Sequence, residues 1–197
     1  MKDFVYIVFA NSGCIISKML KENKFNNRVV HFFEGGDLYD KTYADDIINL
    51  HENIEYSLAS ERIHYNSFIF ADDVQEKIIE TIKGIKNAII IHDYIEPDYS
   101  LTLDISKKLI KNGVHCINIF CKPFKFMGQK NIEQYDNFFA EITTLKNDNY
   151  YFDCDDISNY LKTKTGFFEG ITIAYMVQFY ISINPEMTLN DIMEQII

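Results

Sequence analysis

The sequence is poor in the residues from which common functional sites are made. Glycine is scarce, 8 in 197 residues, and no three fall in one turn. A phosphate loop works because glycines let backbone N–H groups approach an anion in front of a helix N-terminus. The usual nucleotide cradle therefore has little to be built from. The four cysteines, at 14, 116, 121 and 154, make no CxxC pair, which removes the commonest zinc and dithiol spacings. No apolar run of about 20 residues, cleavable leader or lipidation motif is present. The expectation is a cytoplasmic protein with reduced thiols. Positive charge is in deficit as well: 19 Lys and Arg stand against 29 Asp and Glu, a net charge of −10. A surface of that sign does not suit a nucleic-acid backbone or an anionic membrane. The acids are scattered, so their plain role is solubility. No repeat, linker or low-complexity stretch divides the chain, and residues 1–197 are read as one domain.

What is there is apolar patterning, with 47% hydrophobic residues, enough for a sizeable core. From Phe4 to Phe9 an apolar run of strand length leads into Ala10-Asn11-Ser12-Gly13, read as a tight turn. Ile15, Ile16, Met19 and Leu20 then repeat at helical spacing. Arg28 to Phe33 reads as a second strand, ending at Glu34-Gly35-Gly36-Asp37. Tyr43 to Leu50 suits a short helix, and Tyr65 to Phe70 suits strand or loop. Ala71-Asp72-Asp73 opens a helix with Val74, Ile78, Ile79 and Ile82 on one face and Gly84 near its end. Asn87 to Ile91 reads as a strand buried on both faces. Leu101, Leu103, Ile105, Leu109 and Ile110 make a helix that Gly113 closes, and Val114 to Phe120 is the next strand. Ile132, Tyr135, Phe138, Phe139 and Ile142 make an amphipathic helix, and Tyr150-Tyr151-Phe152 another strand. A long apolar helix runs to Ile181. Thr188 with Asp191 opens a last helix, Leu189 to Ile196, as a capping box. Strands alternating with helices in this way predict an α/β fold, a doubly wound and mostly parallel sheet with helices on both faces and the first strand central.

The stretch from Asn87 to Asn131 carries a resemblance. It runs strand, loop, helix ending at Gly113, strand, then the corner Lys122-Pro123-Phe124-Lys125-Phe126-Met127-Gly128, with no gap. This resembles the middle of the GTPase domain of the tubulin/FtsZ family, which has a KPFxFEGxxR-like corner. In looser form the likeness covers most of the chain in order. It implies a tubulin/FtsZ N-terminal-domain-like, Rossmann-like fold, without the family's C-terminal domain. It does not imply the family's chemistry. Where the family has a GGGTGTG-type loop stands Tyr94-Ile95-Glu96-Pro97-Asp98-Tyr99-Ser100. Glu96 and Asp98 would turn like charge on a triphosphate, and Pro97 removes a donor. Of the first phosphate loop only Gly13 remains. The ribose-holding Glu and Arg fall on Met127 and Asn131, and the guanine-reading acid falls within Ile171 to Ile173, where there is none. The resemblance thus implies a non-catalytic FtsZ/tubulin-like protein with no cofactor. It would act by protein–protein contact or self-assembly, in cell division or cytoskeletal filaments. Its partners would be copies of itself and an FtsZ-like filament protein.

Two other readings stay open. In one, a divergent pocket holds a nucleotide with Asn11, Ser12, Gly13, Gly35, Gly36, Asp37, His92 and Asp93. In the other, an unrelated doubly wound enzyme uses His92 and Asp93 at a strand C-terminus, the usual ligand crevice of such sheets. Cys14, near a helix N-terminus, would be its nucleophile. The plain reading of His92 and Asp93 is a polar strand end facing solvent. Asp153, Asp155 and Asp156 are read as a capping turn in preference to a cation site. Phe167 to Ile181 is apolar around much of its circumference, and such a helix must be buried on all sides. The last helix is short, so a contact with a second copy is expected over Phe179, Tyr180, Leu189, Ile192, Met193 and Ile196.

Overall fold

β-branched and aromatic residues dominate the segments that pair. They are β1 (Val5–Phe9), β2 (Val29–Phe33), β3 (Asp46–Asn49), β4 (Asn87–Ile91), β5 (His115–Lys122) and β6 (Asp148–Asp153). They form one sheet in this computed structural model, which describes residues 4–33, 43–49, 72–92, 99–161 and 167–196. Every pairing is parallel, in the order β3-β2-β1-β4-β5-β6. The fold is α/β and doubly wound, with the first strand inside the sheet, as the patterning predicts. The order reverses between β1 and β4, the topological switch point of such a sheet. Ile7, Val8, Ile90 and Ile91 are wholly buried. Successive side chains point to opposite faces, so strands with no exposed residue need cover on both.

The cover is α1 (Ala10–Glu22), α2 (Asp72–Ile82), α3 (Tyr99–Lys111), α4 (Gln129–Ile142), α5 (Cys154–Leu161), α6 (Phe167–Ile183) and α7 (Leu189–Ile196). On one face Ile16 and Leu20 of α1, Ile157 of α5, Val177 of α6 and Ile192 of α7 pack on Val8, Ile89, Ile91 and Ile119. On the other, Ile78 of α2 and Ile105 and Leu109 of α3 pack on Ile7 and Ile90. Phe138 and Ile142 of α4 join that face through Phe120. Two helix ends are set by local chemistry. Gly113 follows α3 at φ +78°. Its N–H donates to the Ile110 carbonyl, and that of Val114 to the Leu109 carbonyl, which is a Schellman closure. Before α7, the Asp191 N–H donates to Thr188 Oγ1 and the Thr188 N–H to Asp191 Oδ2, so the capping box is formed.

The structure departs from expectation in three places. Ala10 to Gly13 is the first turn of α1, with no loop after Phe9. Asp46–Asn49 is a strand where a helix was expected. Its acids explain the difference: Asp45 Oδ2 accepts the Val29 N–H at 2.8 Å and Asp46 pairs with Arg28 at 2.7 Å, so both carboxylates tie the segment to β2. Ile79 is 55% exposed, because it lies one residue, or about 100°, off the stripe that buries Ile78 and Ile82. The segment Tyr65 to Phe70 lies outside the described residues. All four cysteines are free thiols. Cys116 and Cys121 belong to cores on opposite faces of the sheet. No helix among the described residues is long and apolar enough to cross a membrane.

Gly113→Ala puts a side chain into the left-handed region and is expected to cost about 1–2 kcal/mol. Thr188→Ala removes a cap and is expected to cost about 1 kcal/mol. Urea unfolding of the two variants checks both.

Candidate functional site

The C-terminal edge of the sheet at β1 and β4 is where ligands enter this class of fold. Here β1 runs straight into α1. Phe9 is the N-cap residue, in extended backbone and with no capping side chain, and no acid stands in the first turn. Gly13 lies on the buried side of that turn. A Cβ at this position would sit 2.5 Å from His31 Nε2 and 3.1 Å from Val8 Cγ2. The glycine is what lets the His31 ring, itself wholly buried, fit against α1.

His92 follows β4 directly. Its N–H donates to the Ile119 carbonyl at 3.0 Å, extending the pairing with β5. Its carbonyl accepts from Gln178 Nε2 of α6 at 2.8 Å, on the other side of the sheet. The ring is 1% exposed. It packs among Phe9, Phe120 and Phe138, with centroids 6.2, 5.7 and 5.1 Å away, and Phe9 stacks in turn on Phe32 at 5.3 Å. His92 Nε2 lies 3.2 Å from Asn118 Oδ1. A carboxamide oxygen only accepts, so Nε2 carries the hydrogen and Nδ1 is a bare acceptor. Among the described residues Nδ1 is buried without a partner, as is Gln178 Oε1. Burial pushes the His92 pKa down to about 3, against the smaller opposing pull of Asn118.

The polar chain continues from there. Ser106 Oγ of α3 lies 3.5 Å from Asn118 Oδ1. Asn118 Nδ2 donates to Asn149 Oδ1 at 3.2 Å, and Asn149 Nδ2 to Asn147 Oδ1 at 3.3 Å. Hydrogen-bonded side chains thus cross from β4 through β5 to β6 inside an apolar layer. Asn118 and Gln178 carry this arrangement, and sequence reasoning did not single them out. The signal was available: each is a polar residue in the middle of an otherwise apolar buried segment, and such a group needs a partner.

The expected site residues fare differently. His92 does not face solvent, which corrects the plain reading. An imidazole neutral down to about pH 3 and sealed among phenylalanines is a poor general base at neutral pH. That removes the support for pairing it with Cys14, which sits half-buried in α1. Asn11 and Ser12 belong to the first turn of α1. Gly35, Gly36, Asp37 and Asp93 lie outside the described residues. Asp153 caps α5, its Oδ1 accepting the Asp155 N–H at 2.9 Å, and Asp155 pairs with Lys125 at 3.2 Å. Among the described residues no three His, Cys, Asp or Glu side chains gather as a metal site would need. The interface set is corrected in part. Phe179 is 3% exposed, and Ile192 and Met193 are wholly buried, inside one chain. α6 packs on α1, α5, α7, β4 and β5 together, and Phe25 beyond the end of α1 meets Phe179 edge-on at 6.2 Å. The cover expected from a second copy is therefore supplied internally. Tyr180, Leu189 and Ile196 stay partly exposed.

No protein-family model matches this chain, and no curated protein matches it in sequence.

Folded His92 takes up its proton near pH 3, and an unfolded histidine near 6.5. Between those values the unfolded state holds one more proton. This group's contribution to stability is thus complete above about pH 6.5 and lost below it, by about 1.4 kcal/mol per pH unit. His92→Phe is expected to flatten that part of the stability profile, measured by urea unfolding from pH 7 to pH 4.

Proposed function

We propose that the chain is a non-catalytic domain of the tubulin/FtsZ type that works by protein–protein contact, self-assembly included, in cell division or a cytoskeletal filament system. The observation that carries this reading is that, among the described residues, side chains of the chain itself pack into the switch point. A ligand at this place needs a glycine-lined gap in front of a helix N-terminus. Instead, the gap at Gly13 is taken up by His31, and the ends of β4 and β5 are closed by the rings of Phe9, His92, Phe120 and Phe138. The corner from Lys122 to Gly128 supports the family resemblance. Phe124 is buried in the core and stacks on Phe126 at 4.7 Å, while Phe126 is 56% exposed. The buried His92, its pKa pushed down to about 3, is a weak general base, which supports a non-catalytic reading. The partners under this reading are further copies of the chain and an FtsZ-like filament protein, met in the cytoplasm without a cofactor.

Titration of the purified protein with GTP and GDP, with and without magnesium, is expected to give no saturable binding at micromolar concentration. A micromolar or tighter dissociation constant overturns the reading in favour of a divergent nucleotide pocket. Co-sedimentation with an FtsZ-like filament protein is the positive arm. Tyr180→Glu and Ile196→Glu are the probes for self-association.

A further inference from the structure

Among the described residues β6 pairs with β5 alone and so forms an edge of the sheet. An edge strand offers a row of free N–H and C=O groups, and proteins usually guard it with lysine, proline or a bulge. β6 reads Asp148-Asn149-Tyr150-Tyr151-Phe152-Asp153, with neither lysine nor proline. It keeps unbroken register with β5 from Ile117↔Asp148 to Lys122↔Asp153. Tyr151 is 62% exposed, the most exposed large apolar side chain among the described residues. Its ring stacks on Phe120 at 6.2 Å and meets Phe139 edge-on at 5.1 Å, which hold it at the rim.

A carboxylate brackets each end of this strand, and among the described residues neither forms an ion pair with lysine or arginine within 4 Å. Asp148 Oδ2 is hydrogen-bonded to His115 Nε2 at 2.9 Å. Asp153 caps α5, and Lys122, opposite it in register, reaches Asp136 at 3.7 Å instead.

We propose that the β6 edge is a docking site for an extended basic segment of another protein, which adds to the sheet as a further strand. That segment carries Lys or Arg at both ends of a stretch matching β6, with β-branched or aromatic residues between. Charge selects this occupant. If two copies paired β6 with β6 in antiparallel register, Asp148 would stand opposite Asp153 twice, and like charges directly opposite oppose pairing. A basic segment puts opposite charge at both places, and the net charge of −10 steers it in. Backbone hydrogen bonds supply the affinity, and Tyr151 packs on the neighbouring side chain. The inference rests on the contact-making reading above and names one of its surfaces.

The probe is a fluorescein-labelled, end-capped peptide Lys-Val-Thr-Val-Thr-Lys, set against the same peptide with Glu at both ends. The intact protein is expected to bind the basic peptide saturably, more weakly as salt rises, and the acidic one not at all. Amide exchange along residues 149–152 should slow on binding. Asp148→Lys is expected to weaken binding about tenfold, and a peptide with Glu at the matching end should restore it. Tyr151→Ala, a second surface change on the same edge, should weaken it too. No saturable binding up to about 1 mM, equal binding of both peptides, or protection elsewhere overturns the proposal. So does a dimer whose β6 amides are protected without peptide. A protein that ignores both peptides yet co-sediments with the filament refutes the edge and keeps the wider reading. One that binds GTP tightly refutes the wider reading, while the peptide arms alone decide the edge.

Discussion

β1 and β4 hold each other from Val5↔Ala88 to Val8↔Ile91, and the middle of neither strand meets water. That pairing is the constraint on which the rest of the molecule depends. Two strands buried on both faces demand two layers of helix, and the layers are supplied unequally. α1, α5, α6 and α7 lie on one side; α2, α3 and α4 lie on the other. The layer built on α6 is keyed to β1 by a directed bond, the Tyr6 hydroxyl to the Ser182 carbonyl at 3.2 Å. Burial pushes the Tyr6 pKa up to about 12, which keeps the phenol protonated and so a donor.

The polar residues inside this apolar frame do a different job from the hydrophobic ones. Apolar packing alone tolerates small slips along a helix or strand. A buried carboxamide does not, because a slip leaves it unpaired in a medium of low polarity. Asn118 locks the level of β4 against β5 through His92, and of β5 against β6 through Asn149. Gln178 does the same between the sheet and α6. Among the described residues, hydrogen bonds thus tie the end of β4 to β5 and to α6.

Much of this was readable in the residues. The runs Phe4 to Phe9, Asn87 to Ile91 and Val114 to Phe120 are largely apolar and read as interior strands, and Gly113 marks its helix end by needing a positive φ. β3 was not readable, since Asp46–Asn49 has two apolar residues and takes its strand character from carboxylates reaching back to Val29 and Arg28. The turn at Ala10 to Gly13 was misjudged because Asn, Ser and Gly favour turns locally, whereas packing of Gly13 on His31 favours helix. The cover of α6 was misassigned because its length of apolar surface is visible in sequence and the converging neighbours are not. His92 was placed in solvent for the same reason: nothing in its own neighbourhood of the chain announces Asn118, 26 residues away.

The strand order also dictates a timetable for the chain as it is made. β1 precedes the other strands of the sheet in the chain, and on one side it waits only for β2. Its other neighbour arrives some eighty residues later, at Ala88 to Ile91, and the hydroxyl of Tyr6 finds its partner 176 positions on, at Ser182. Until then one edge of this apolar strand has no partner from β4. Long-range parallel pairings of this kind form slowly and expose apolar edges meanwhile. The apolar layer around β1 is therefore incomplete until α6 has been made.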